Sequence, residues 1–246
     1  GNDMIEINVL IPILAAFFTA ALTLMTGFGL GTILTPVFLI FYDVKIAILI
    51  VAVVHLSNNL LKLSLFSRHI SLDILKRFGV LTLAGAFIGA FLQGKMDSSL
   101  VKILLGASLI FIGLKEISGF GEKLRLPKKI DFIGGFLSGL LGGFVGNQGA
   151  VRSAYLLNYN IPKETFVATA AIIASVVDVT RIPVYMFNNK DVLANNWILL
   201  LITTVSAFAG TFAGKRFLKK ISVKTFKIYV AATVIIIGIL LSFRIL

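Results

Sequence analysis

The sequence predicts an all-α polytopic membrane protein built from two inverted repeats of five helices, and three observations carry that prediction. Apolar runs of bilayer length follow one another along the whole chain. A glycine-rich break, followed by an unusually short run, stands at matching places in the two halves. Lys and Arg concentrate in alternate loops. Of 246 residues, 58% are hydrophobic and 14% are charged, whereas a soluble domain carries about 25% charged residues. Too little polar surface is left to cover a water-soluble body of this size. A bilayer is crossed by about 20 apolar residues, so the chain has room for roughly eight to ten spans.

Composition also excludes. There is no cysteine, which removes disulfides, thiolate metal sites and cysteine nucleophiles. The net charge of +12 is spread through short loops between apolar runs and forms no basic domain. It therefore reports orientation rather than nucleic-acid binding. Gly1 to Asp3 precede Met4 and read as an expression scar. Asp3 and Glu6 flank the first apolar run, which lacks the basic n-region of a signal peptide.

The first repeat is read as residues 4–117. Run a, Ile5 to Met25, stops at Gly27-Phe28-Gly29-Leu30-Gly31. Run b, Thr32 to Tyr42, is short. Runs c (Lys45 to Phe66), d (Leu72 to Leu92) and e (Leu100 to Ile117) follow. A polar, basic cytoplasmic linker, 118–129, leads to the second repeat, 130–246. Run a′, Ile130 to Val145, stops at Gly146-Asn147-Gln148-Gly149, and run b′, Ala150 to Tyr159, is again short. Runs c′ (Lys163 to Tyr185), d′ (Trp197 to Ala213) and e′ (Val223 to Phe243) complete it.

Ordered residue matches support the repeat. A shift of 118 puts Gly31 on Gly149, Lys45 on Lys163 and Ser57 on Ser175. A shift of 119 puts Asn59 on Asp178 and Lys62 on Arg181. A shift of 125 puts Gly85-Ala86-Phe87-Ile88-Gly89 on Gly210-Thr211-Phe212-Ala213-Gly214. Five runs per half is an odd number, so the halves should be inverted. With the c–d, e–a′, b′–c′ and d′–e′ connections in the cytoplasm, fifteen of the 23 Lys and Arg lie inside and five outside. That asymmetry favours this topology, with both termini outside an inner or plasma membrane.

The paired breaks are the features that point to chemistry. Short, Gly-interrupted apolar segments at corresponding places in two halves mark a transporter's binding site. A helix that begins inside the membrane presents unpaired N–H groups and the positive end of its dipole. Unwound backbone survives there only where it is buried in protein or lines a cavity. Two such ends meeting near the midplane suit a small anion. The candidate binding residues are Gly29, Gly31, Thr32 and Thr35 around the first break, and Asn147, Gln148, Gly149 and Arg152 around the second. Arg152 is the foremost of these, being too deep to snorkel easily.

Run c adds a polar stripe. His55, Asn58, Asn59 and Lys62 are spaced i, i+3, i+4 and i+7 and share one helix face. Asn58 and Asn59 join the binding candidates. Run c′ answers with Ser175, Asp178 and Arg181. Intramembrane ionisable groups are expensive and usually functional, so Lys62, Arg181, Asp178 and His55 are vestibule or coupling candidates, the last two for protons. The plain alternatives are an i, i+3 ion pair between Asp178 and Arg181 and a Lys62 that snorkels to the surface. No HExxH, GxSxG or paired acidic cluster is present, so neither an enzyme nor a metal or cofactor site is expected.

Gly27-Phe28-Gly29-Leu30-Gly31-Thr32-Ile33-Leu34-Thr35-Pro36 resembles the Gly-rich stretch ending in Pro that opens each repeat of the TauE/SafE (TSUP) sulfite-exporter family. The second copy, Gly142-Gly143-Phe144-Val145-Gly146-Asn147-Gln148-Gly149, is looser: Ala154 stands where Pro36 stands in the first, and Asn147-Gln148 replace small residues. The resemblance extends over the whole chain through size, repeat and loop plan. It implies secondary transport, as an exporter, of sulfite, sulfonates or related sulfur oxyanions. An anion channel is the alternative reading. An intramembrane phosphatase or lipid-handling enzyme is a more distant one, since it would need acidic clusters.

Overall fold

The computed structural model describes residues 2–26, 29–119, 127–157, 159–217, 223–243 and 245. Gly27 and Phe28 of the first break, residues 120–126 of the linker, Lys219, Lys220 and Arg244 lie outside the described residues. Among the described residues every regular element is helical. The first half contains α1 (Asn2–Thr26), the short α2 (Leu30–Leu39) and α3 (Val44–Phe66). It continues through α4 (Leu72–Ile74), a π-helical turn (Leu75–Gly79) and α5 (Val80–Lys95) as one rod, and then α6 (Ser98–Ser118). The second half contains α7 (Asp131–Val145), the short α8 (Gly149–Leu157), α9 (Lys163–Asn188), a single turn α10 (Val192–Asn195), α11 (Trp197–Phe217) and α12 (Val223–Ser242).

Local chemistry sets several of these starts. The Asp43 carboxylate accepts from the Lys45 N–H at the head of α3, and Asp97 accepts from Leu100 N–H at the head of α6. Ser71 does the same for Ile74 at the start of the α4–α5 rod. Each side-chain oxygen satisfies a donor that has no partner within its own helix.

Segments 44–69, 72–95, 163–187 and 197–216 are long and apolar enough to cross a membrane, and Val9–Leu24, Leu30–Leu39 and Ala231–Ser242 are shorter apolar helices. Large apolar side chains such as Phe18, Phe87, Phe111 and Val205 point outward, which a lipid environment tolerates and water does not. The protein is a multi-pass, all-helical membrane protein.

Helix pairing follows from small residues. α5 packs along α7, α1 along α11, α6 along α12, and α3 along α9. A methyl group on Gly139 would lie 2.1 Å from the Thr82 carbonyl oxygen, and one on Gly210 would lie 2.1 Å from that of Phe17. These backbones therefore touch with no side chain between them. Hydroxyls add cross-links: Thr82 donates to Gly135 O at 2.9 Å, and Ser206 donates to Ile13 O at 2.7 Å. Between helices in lipid there is no water to expel, so close packing and such bonds hold the bundle. Gly139→Val should lower the melting temperature in detergent by the equivalent of about 1–3 kcal/mol of overpacking. Trimming the lipid-facing Leu137 to Ala should change it far less. Melting followed by loss of the monodisperse chromatographic peak checks both.

Candidate functional site

The two breaks lie against each other. α7 ends at Val145, and Gly146, at φ 84°, turns the chain out of the helix. In the other half Gly29, at φ 132°, precedes α2. Only glycine adopts such angles without strain. A methyl group on Gly31 would approach the Gly146 carbonyl to 3.3 Å, so the start of α2 packs on the break that follows α7. At about 1.5 Å per residue, α2 and α8 are each only about half a membrane long.

The helix ends at the two breaks are satisfied unequally. On the carbonyl side, side chains from α9 and α5 cover the end of α7. Arg181 Nη1 donates to Gly142 O at 2.9 Å, Tyr185 OH donates to Gly143 O, and Gln93 Nε2 donates to Phe144 O at 3.0 Å. On the N–H side, the start of α2 has no side-chain cap. Leu30, Gly31 and Thr32 instead border a cavity shared with Gln148 and Gly149 at the start of α8.

His55, Asn59, Lys62 and Arg152 complete the polar lining of that cavity, and Thr23, Val167, Ala170 and Ala171 close its wall. Arg152 is 3% exposed and its Nη1 donates to Gln148 Oε1 at 3.0 Å. That bond turns the Gln148 amide so that its Nε2, which is buried, has no acceptor among the described residues. Lys62 is 8% exposed. Its ammonium has no hydrogen-bond or ion-pair partner among the described residues, and the nearest influential charge is the like charge of Arg152. Buried cations are normally paired. Two cations, Lys62 and Arg152, thus border one polar cavity together with the start of α2 and a Gln148 amide donor that has no acceptor among the described residues.

Nine of the fourteen residues singled out from the sequence thus share one cavity: Gly29, Gly31, Thr32, His55, Asn59, Lys62, Gln148, Gly149 and Arg152. Five stand elsewhere. Thr35 is buried within α2. Asn58 turns away, its Oδ1 accepting from Thr211 on α11 at 2.7 Å. Asn147 Nδ2 donates to Ser108 on α6 at 2.6 Å, tying the second break to that helix. Asp178 and Arg181 are fully enclosed behind His55. The Asp178 carboxylate accepts from His55 Nδ1 at 2.6 Å on one oxygen and from Arg181 at 2.8–2.9 Å on the other. The Asp178–Arg181 ion pair weighed from the sequence is therefore present, joined to His55 and to the end of α7. Lys62, for which snorkelling to the surface was the plain alternative, is drawn inward instead.

Sequence reasoning missed Tyr185 and Gln93, which close the end of α7. Tyr185 stands at i+4 from Arg181, so its face was readable. Gln93, on another helix, gave no such signal. Val167, Ala170 and Ala171 line the cavity with apolar surface and carry no chemical mark.

The sequence profile of the family described as Sulfite exporter TauE/SafE matches residues 12–241. The chain belongs to that family. No curated protein and no solved structure matches it. The TauE/SafE family is a family of membrane transporters, and the matched region contains both breaks and every residue of the cavity.

Lys62→Met should raise the melting temperature of the anion-free protein, by about 2–4 °C for each kcal/mol of charge burial relieved. The same change should remove stabilisation by added anion, which for the parent reaches about 2.7 kcal/mol at a hundredfold excess over Kd. A thermal-shift series with sulfite, sulfate and methanesulfonate measures both effects.

Proposed function

We propose that the protein is a secondary transporter, working as an exporter, that moves a small sulfur-containing oxyanion such as sulfite or an organosulfonate by alternating access between two inverted repeats. The observation that carries this reading is the cavity in which two cationic side chains, Lys62 and Arg152, are lined up with the residues that begin α2 and α8. An oxyanion presents several oxygen acceptors around one centre. The Arg152 guanidinium offers two parallel donors, Gln148 Nε2 and Asn59 offer amides, and the helix starts offer backbone N–H groups. No carboxylate lines the cavity among the described residues, so cations are repelled. Family membership supports the sulfur oxyanion as the substrate class and export as its direction.

Helix pairing supports the inverted arrangement. Exchanging the halves turns the α5–α7 pair into α11–α1 and leaves α3–α9 and α6–α12 unchanged. It also carries the contact of Gly85 with the Phe136 carbonyl onto that of Gly210 with the Phe17 carbonyl. The halves differ at one matched pair. Lys62 faces the cavity, whereas its counterpart Arg181 is clamped to Asp178 and Gly142 O. Such a difference between matched residues is what an end state of an alternating cycle would need, and it supports that reading. The loop charges favour the cytoplasmic side for the end of α3 that bears Lys62.

Flux of labelled sulfite or sulfonate into proteoliposomes tests the proposal. The parent should show saturable uptake and counterflow; unsaturable conductive flux would favour a channel and contradict it. Each charge-assisted hydrogen bond is worth about 1.5–3 kcal/mol, and 1.4 kcal/mol is about one decade. Arg152→Ala should therefore weaken anion affinity by about one to three decades. Arg152→Lys restores charge without the fork and should recover only part of the loss. If folded Arg152→Ala binds and transports like the parent, the cavity is not the site. Arg181→Lys, which cannot span Asp178 and Gly142 O in the same way, should slow turnover with a milder effect on affinity.

A further inference from the structure

We propose that His55 is the proton-binding group of this site, and that one proton binds with, and travels with, each anion. The inference rests on the oxyanion cavity proposed above and adds the co-transported ion. His55 occupies two environments at once. It lines the cavity, its Cδ2 edge facing Gly31 at 3.9 Å from where a Cβ would stand, and its Nδ1 lies 2.6 Å from Asp178 Oδ2. Asp178 is wholly buried and already accepts from Arg181 on its other oxygen. A carboxylate held this way is an acceptor only, so Nδ1 carries the hydrogen. Nε2, on the same edge as Cδ2, is then the basic nitrogen on the cavity side.

Charge makes protonation and anion binding help each other. The ionised groups facing His55 are Asp178 and Arg181 from α9, Arg152 from α8, and Lys62 two turns on along α3. α2 carries no charged residue, and its Gly31 lies near the His55 ring. Asp178 and Arg181 neutralise each other, which leaves Lys62 and Arg152 facing the cavity. A proton arriving at Nε2 from the cavity adds a third positive charge there and displaces only the long 3.3 Å contact from Asn59 Nδ2, an amide that also donates to the His55 carbonyl at 2.9 Å. In the empty site that charge is opposed by Arg152 and Lys62. With an oxyanion present it is welcomed. By linkage, an anion that favours the imidazolium is itself favoured by it to the same extent. The position also suits coupling, because the His55–Asp178 bond joins α3 to α9 across the two halves, and Arg181 carries the link on to Gly142 O at the second break.

Methanesulfonate is a suitable probe because it does not titrate near neutrality. Its binding to the purified full chain is measured by calorimetry from about pH 5 to 8, the range in which an imidazole titrates. Each point is repeated in two buffers of different ionisation enthalpy. The parent should take up close to one proton per anion at the upper end of that range. Its affinity should fall by up to about tenfold per pH unit there, as one linked proton requires. His55→Gln keeps an amide donor for Asp178 but cannot ionise. It should bind more weakly, with no proton uptake and a flat pH profile. The buffer comparison on the parent alone serves if the variant does not fold. A parent that binds methanesulfonate without proton uptake overturns the coupling and leaves the oxyanion site standing. Proton uptake that persists in His55→Gln also overturns it and moves the proton to another group, Lys62 first. A parent that binds none of methanesulfonate, sulfite or sulfate overturns both readings together.

Discussion

A helix that stops halfway across a bilayer leaves carbonyl groups on one side of the break and N–H groups on the other, with no water in the hydrocarbon to meet either. Each unmet group costs several kcal/mol at that depth, so the rest of the protein must answer for it. Here the two sides are answered differently. The carbonyls at the end of α7 are met by Arg181, Tyr185 and Gln93. The start of α2, at the other break, has no side-chain cap and borders a cavity. A side chain can close a carbonyl end permanently, whereas an N–H end left open is a place for a ligand that comes and goes.

The cations follow from the same constraint. Arg181 carries a charge into the membrane interior, and Asp178 together with the α7 carbonyls compensates it in full. Lys62 and Arg152 bring two more charges to the cavity, whose lining holds no acid among the described residues. A permanent acid in that place would stabilise the empty protein and exclude the anion. In the same way the small residues of α5, α7 and α11 serve the cavity indirectly. They let the long helices meet backbone to backbone, which holds the short helices between them in place.

Much of this was legible in the sequence, because the signals are those a bilayer enforces. Apolar runs must be long enough to span, so helix positions came through closely: run b′ begins at Ala150 and α8 at Gly149. Glycines at φ values that other residues avoid mark where the backbone turns, and both breaks fell there. Charged residues are rare enough in lipid that Lys62, Arg152, Asp178 and Arg181 announced themselves. The direction each side chain takes was not legible. Asn58 and Asn59 are neighbours on one helix, yet one faces α11 and the other the cavity, a choice made by Thr211 on a distant segment. Arg181 reads from the sequence as a vestibule residue because it is an intramembrane charge that the repeat matches to Lys62. It is held inward by Gly142 O, a backbone atom that no side-chain pattern reveals. The π-helical turn at Leu75–Gly79 had no counterpart in the pattern either, since Leu75 to Gly79 sit in an otherwise ordinary run.

The anion's position between the two breaks is the claim on which the rest stands, and a heavy-atom oxyanion reads it directly. In crystals of the protein soaked with selenate, anomalous scattering recorded at the selenium edge should give a peak between the starts of α2 and α8. That peak should lie within hydrogen-bond distance of Arg152 and Lys62. Selenium seated elsewhere at saturating concentration, with this cavity empty, would contradict the site and the transport mechanism built on it.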